Sequence, residues 1–220
     1  MNFELREGIS CCEAGGRFLF LDLGRNRYFA LQPEAEQTFR SVVARDAPAP
    51  GDRARLDRLV ESGLLAPADW DARPNPCPAP PAPECSLLEE NLHAGSFALA
   101  HALCRLALGV LVLKLRPLSA ILARLQDRKR TIEPCESDDA ALLDVAAAFS
   151  RSGLIAAPLD QCLPRSIAIT HALLDRHIAP LLVVGVRLKP FGAHCWVQHG
   201  STVVNETVDN VRNFTPILVV

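Results

Sequence analysis

The sequence predicts an α+β protein in two parts: a small domain over residues 1–70 and a larger one over residues 85–220, joined by a stretch at 71–84. Three observations carry this. Short alternating strands separated by glycine turns fill residues 3–30, six prolines crowd the segment from Asp71 to Glu84, and several apolar helices precede a helix and three strands between Cys162 and Glu206.

Composition sets the outer bounds. The chain has 220 residues, 49% hydrophobic and 22% charged, enough to bury a sizeable core. A net charge of −2 provides no broad basic field, so nucleic acid is not an expected partner. The opening MNFELREGIS lacks the basic and apolar regions of a secretory signal, and a cytoplasmic protein is expected. Eight cysteines lie at 11, 12, 77, 85, 104, 135, 162 and 195 without a CxxC pair, which fits free thiols in a reducing compartment. Cys11 and Cys12 would point to opposite faces of a strand, so neither a metal nor another cofactor is expected.

Residues 3–30 read as a three-stranded antiparallel meander. In its middle strand Phe18, Phe20 and Asp22 fall on one face and Leu19, Leu21 and Leu23 on the other, and the leucine face is expected to meet the core. Gly15-Gly16 and Gly24-Arg25-Asn26 supply the turns, and Tyr28, Phe29 and Ala30 continue the last strand. Pro33 opens a helix carrying Ala35, Phe39, Val42 and Val43, and Gly51-Asp52 precedes a second with Leu56, Leu59, Val60 and Leu64 near its end. The segment 71–84, DARPNPCPAPPAPE, shows no apolar periodicity and reads as a stiff, extended linker.

Phe97 to Leu115 is apolar enough to suggest a membrane span. His101, Arg105 and Lys114 interrupt it, however, so a buried amphipathic helix and no membrane partner are expected. Helices over Leu118–Arg130 and Asp138–Ser150 follow and should cover the later sheet.

The stretch CLPRSIAITHALLDRHIAPLLVVGVRLKPFGAHCWVQHGSTVVNE carries the chemistry. Leu163, Ile167, Thr170 and Leu174 form a helical stripe, and a helix start within 161–163 puts Pro164 in the first turn. Cys162 then sits where free backbone N–H groups and the positive helix end favour a thiolate. After Pro180 comes a buried strand of Leu181 to Val186, followed by a strand through His194, Trp196 and Gln198. With His199-Gly200 as the turn, Trp196 pairs with Val203 and His194 with Asn205. Cys162, His194 and Asn205 are therefore expected to form a nucleophile, base and orienting group, the last bonding Nδ1. A shifted or bulged strand would present Glu206 instead, and Asp209 lies just beyond. Gln161 could add a donor for an oxyanion, beside the backbone N–H of Cys162. Cys195 should face the core, and His171 and His177 read as surface or satisfied groups.

These residues resemble the lasso peptide B proteins, leader peptidases similar in fold to transglutaminases and papain-like cysteine proteases. CLPRS, GVR-x-x-PF and AH-x-W occur in that family's order over roughly residues 150–220. The resemblance implies Cys162 as nucleophile and His194 as base, with an acid expected at the Asn205-Glu206 position. FLFLDLGRNRYFAL and the two helices after it are similar to the PqqD-type winged-helix element that binds leader peptides. That resemblance implies a leader lying along Arg27, Tyr28, Phe29 and Ala30 and against a helix face bearing Arg55, Leu56 and Leu59. It further implies a precursor peptide and an ATP-dependent macrolactam cyclase as partners. A transglutaminase-type acyltransferase and a noncatalytic peptide-binding adaptor are the alternative readings of the same residues.

Overall fold

Phe18 and Phe20 stand two apart on one strand, so both rings project to the same side, and the N-terminal unit is built on them. The computed structural model describes residues 2–46, 51–69, 72–90, 93–132, 139–155 and 162–220. Within the first unit, Met1–Pro78, the strands are β1 Asn2–Leu5, β2 Ile9–Ala14, β3 Arg17–Asp22 and β4 Arg27–Ala30, followed by α1 Pro33–Ala44, α2 Asp52–Glu61 and β5 Leu65–Ala68. β2, β3 and β4 form the expected meander, while β1 pairs antiparallel with β5 in a separate two-stranded sheet.

The phenylalanine face, not the leucine face, meets the helices. Phe39 of α1 presents its ring edge to Phe18 and to Phe20, each at 5.0 Å between centroids, and Phe29 stacks on Phe20 at 5.1 Å. Leu56, Leu59, Leu64 and Leu65 complete this core. Leu19 and Leu21 are buried too, so β3 is covered on both sides and its alternation could not reveal which face the helices take.

The expected helix face of the peptide-binding surface is corrected in part. Leu56 and Leu59 are packed into the core and offer a ligand almost no surface. Among the described residues β4 is the outer strand of the β2-β3-β4 sheet; Arg27 and Ala30 are exposed, Tyr28 and Phe29 half-buried. Arg55 is half-buried and pairs with Asp52 at 3.4 Å.

Over residues 72–84 the proline-rich segment has no regular structure but is held at its middle and its C-terminal end. Cys77 N–H donates to Cys11 O at 2.7 Å in the first unit. In the second unit, Ala79–Val220, Gln198 Nε2 donates to Pro81 O at 2.6 Å and Glu84 N–H to Ser201 O at 2.9 Å.

The second unit begins with β6 Cys85–Ser86 and a single 3-10 turn at Leu87–Glu89. Then come α3 Ser96–Leu115, α4 Leu118–Arg130, α5 Asp139–Ile155, α6 Cys162–Leu174, β7 Leu181–Arg187, β8 Gly192–His199, β9 Thr202–Val203, α7 Val208–Val211 and β10 Thr215–Val219. The sheet order is β10-β7-β8-β9-β6, antiparallel except for the β6/β9 pair. The two outer strands escaped sequence reading: β6 is two residues long, and Pro216 with its neighbouring register shift disguises β10.

α3 corrects another expectation, for it is not a buried helix. Ala102 and Leu106 are buried, whereas Phe97, Leu108, Leu111 and Leu115 are exposed, Leu115 by 73%. Among the described residues it is the single helix long and apolar enough to cross a membrane by length and composition. Gly109 sets its approach to α6, since a Cβ there would stand 3.3 Å from Pro164 O. Asp175, just past α6, holds Arg105 of α3 and Arg128 of α4, the latter at 2.7 Å, which ties the three helices together.

α6 buries Ser166 to Thr170 and Ala172 to Leu174, which covers it on all sides, and it packs between α3, α5 and β8.

Candidate active site

Pro164 falls in the first turn of α6, where its missing N–H costs no intrahelical bond, and the helix starts at Cys162. The thiol is half-buried beside His194 of β8, and the His194 side chain and the backbone N–H groups of Cys195 and Leu163 favour its anion. Burial pushes the thiol pKa up, but those groups outweigh it and bring Cys162 below its ordinary value.

His194 Nε2 lies 2.7 Å from Glu206 Oε2. Burial disfavours the imidazolium, yet the bonds to Cys162 and Glu206 prevail and raise His194 to about 9. Glu206 is held below its usual carboxylate value: burial opposes this, while His194, the Thr207 N–H at 2.9 Å and the Asn210 side chain favour the anion. The three groups therefore form a series of thiol, imidazole and carboxylate in which each neighbour favours the charged form of the next. With Nε2 committed to the carboxylate, Nδ1 is left for the thiol, the reverse of the sequence expectation.

The third residue is the main correction within the site. Gln198 pairs with Val203 and His199 with Thr202, so the turn is Gly200-Ser201, one residue later than the sequence suggested. β9 then ends at Val203, and Asn205 never sits opposite His194. Its Oδ1 accepts from Val197 N–H at 2.7 Å, and its Nδ2 donates to Ser166 Oγ at 3.0 Å. The bend after β9 delivers Glu206 to the imidazole instead. Ser86 of β6 helps to hold that bend, its Oγ donating to Glu206 O at 2.7 Å.

Aromatic side chains surround the base. The His194 ring lies 5.3 Å from Phe214 and 6.4 Å from Trp196 between centroids, and π faces near an imidazolium favour its charge. Gly185, opposite His194 on β7, is what lets them approach: a Cβ there would fall 2.7 Å from Trp196 Cζ3 and 2.8 Å from Phe214 Cβ. Gly185→Ala should therefore lower stability by about 1–3 kcal/mol. Thermal unfolding should show a reduced Tm, and turnover should fall with it because the displaced rings flank His194.

Cys195 is fully buried with its thiol pKa pushed far up, as befits a core residue. His171 Nδ1 meets Arg128 at 3.0 Å and is a satisfied structural group. Asp209 lies on α7, and its backbone carbonyl accepts from Asn213 Nδ2 at 2.8 Å. Gln161 lies outside the described residues. Among the described residues, no group of three or more His, Cys, Asp or Glu is placed to hold a metal. Sequence reading missed Ser166, Ser86 and Asn210. Ser166 stands one helical turn after Cys162 on the same face, a signal available in the sequence; Ser86 and Asn210 have no comparable local cue.

A thiol at a helix start, with an imidazole on the neighbouring strand and a carboxylate behind it, is the geometry of cysteine-nucleophile proteins as a class. Comparison with known proteins narrows this. The family model for the transglutaminase-like superfamily matches residues 102–219, more than half of the chain, and the chain belongs to that superfamily. Over 52 residues the chain is 44% identical to the microcin J25-processing protein McjB of Escherichia coli. That stretch is 24% of this chain and 24% of the relative, so the chain spans about a quarter of the length of the curated protein it matches. No solved structure matches significantly.

Proposed function

We propose that the chain is a lasso peptide processing protein that hydrolyses the bond between leader and core of a precursor peptide. The observation that carries this is the Cys162–His194–Glu206 series within a transglutaminase-like domain. The 44% identity over 52 residues to a microcin-processing protein supports a peptide precursor as substrate. The Cys162 thiolate attacks the scissile carbonyl, and the backbone N–H of Cys162, at the start of α6, receives the oxyanion. His194 gives its proton to the departing amine of the core peptide, leaving the leader as a thioester on Cys162. Water, deprotonated by His194, then hydrolyses the thioester and regenerates the thiol. No metal or cofactor is needed for these steps.

In this proposal the N-terminal unit is a PqqD-like recognition domain, and the leader adds as a strand along the outer edge of β4, the last strand of the β2-β3-β4 sheet. Arg27, Tyr28, Phe29 and Ala30 supply that edge, and Arg55 is the member of the expected helix face that is not buried. Tethering the leader there raises the local concentration of the scissile bond at Cys162. The core peptide then passes to an ATP-dependent cyclase that closes the macrolactam.

Incubating the purified chain with a precursor peptide and recording product masses tests the assignment. Leader and core fragments whose summed mass exceeds the precursor by one water are expected; an amine-linked product would make the protein an acyltransferase, and no product at all would support an adaptor. Phe29→Pro should weaken leader affinity about tenfold or more by disturbing the strand, measured by fluorescence anisotropy of a labelled leader. Phe29→Ala is the control, since it loses the stacking on Phe20 but keeps the backbone N–H. Equal loss in both variants would contradict strand addition.

A further inference from the structure

In an antiparallel sheet, successive residues of a strand turn their backbone groups alternately to one neighbour and the other. On β8, Cys195 and Val197 turn theirs away from β7, yet β9 covers only Gln198 and His199. The edge of β8 beside His194 therefore has no strand to complete it, and other groups take the strand's place. Val204 N–H donates to Val197 O at 2.9 Å, Asn205 Oδ1 accepts from Val197 N–H, and Ser166 Oγ donates to Cys195 O at 3.0 Å. Cys195 N–H turns to the Cys162 sulfur. Asn205 closes the set by donating to Ser166 Oγ, so that one amide joins β8 to α6.

We propose that Asn205 and Ser166 are positioning residues that lock α6 to the unpaired edge of β8 and so set the distance between the Cys162 thiol and the His194 imidazole. Ser166 is fully buried and both its hydroxyl bonds are committed, to Asn205 and to Cys195 O, which leaves no slack along the helix axis. Thr170, one turn further on, donates to Ser166 O at 2.8 Å and holds the same turn from behind. The residue after Asn205 is Glu206, so one short segment fixes the nucleophile's helix and orients the base. The proposal rests on the Cys162–His194 pair being the reactive site, whatever peptide it acts on.

The test is the pH dependence of alkylation at Cys162 by iodoacetamide, followed by mass spectrometry of the peptide bearing Cys162, with Cys85 and Cys104 as exposed internal references. Among the described residues, the titratable groups around the thiol are His194 and Cys195 of β8, with Glu206 behind the imidazole. Asn205→Ala and Ser166→Ala should each raise the apparent pKa for alkylation of Cys162, leave Cys85 and Cys104 unchanged, and lower kcat about ten- to a hundredfold with KM nearly constant. The double variant should lose little more than either single one, because the two residues act as one link.

A purely structural role would lower Tm while leaving the alkylation profile and kcat native, and that result overturns the proposal. If either alanine variant fails to fold, the native protein decides: Val197 N–H must exchange slowly with deuterium, and fast exchange contradicts the lock. Alkylation needs no peptide. A native protein that cleaves no precursor, but whose profile still shifts in Asn205→Ala, sinks the peptidase assignment and supports the lock; cleavage with unshifted profiles does the reverse.

Discussion

Cys162→Ala should abolish precursor cleavage, with a rate loss on the order of 10⁴-fold or more, while leader binding and the far-ultraviolet spectrum remain native. The side chain is only half-buried and its partners are the reacting groups, so little packing is lost with it. His194→Ala should lose almost as much, and the double variant no more than either single variant, because nucleophile and base act as a unit. A chain lacking the thiol that still cleaves at a tenth of the native rate would remove Cys162 as nucleophile.

Glu206→Gln carries the second large effect, and its signature lies in the pH profile. In the native protein the thiol is held below its usual value and His194 is raised to about 9. Activity should therefore rise as the thiol deprotonates and fall again as pH passes about 9, where the imidazolium loses its proton. Glutamine can still bond Nε2 but carries no charge, so His194 should titrate lower and Cys162 higher. Both limbs move inward and the active window narrows. The maximal rate should fall on the order of a hundredfold or more. Asn205→Ala should act differently: with Glu206 in place, most of the alkaline limb survives. Identical profiles for Glu206→Gln and the native chain would contradict the role assigned to the carboxylate.

Much of this site was legible before any coordinates. A start of α6 within residues 161–163 follows from Pro164 and the apolar stripe behind it, and the run from Leu181 to Val186 reads directly as a strand buried on both faces. What failed was the register of one hairpin. His199-Gly200 and Gly200-Ser201 both put a glycine in a two-residue turn, and local sequence does not distinguish them; the structure uses the second, with Gly200 at φ 56°. A turn one residue later took Asn205 away from the imidazole to Ser166, and the bend after β9 brought Glu206 in its place.

The remaining misses share a cause, namely packing decided by distant residues. Phe18 and Leu19 alternate symmetrically along β3, and only the arrival of Phe39 selects a face. α3 reads as a core helix by hydropathy, yet its neighbours take only the stripe through Ala102, Leu106 and Gly109. Ser86 lies 120 positions before the carbonyl it holds, too far for any sequence pattern to report.

The central claim is that Cys162 cuts the precursor by way of a thioester that water resolves. Cleavage in water enriched in oxygen-18, with the released leader fragment weighed by mass spectrometry, tests it most directly. One heavy oxygen should appear in the new carboxyl group of the leader, none in the core peptide, and no fragments at all should form with Cys162→Ala. A leader joined to an amine in place of the labelled carboxyl, or labelled fragments from the alanine variant, would contradict the account.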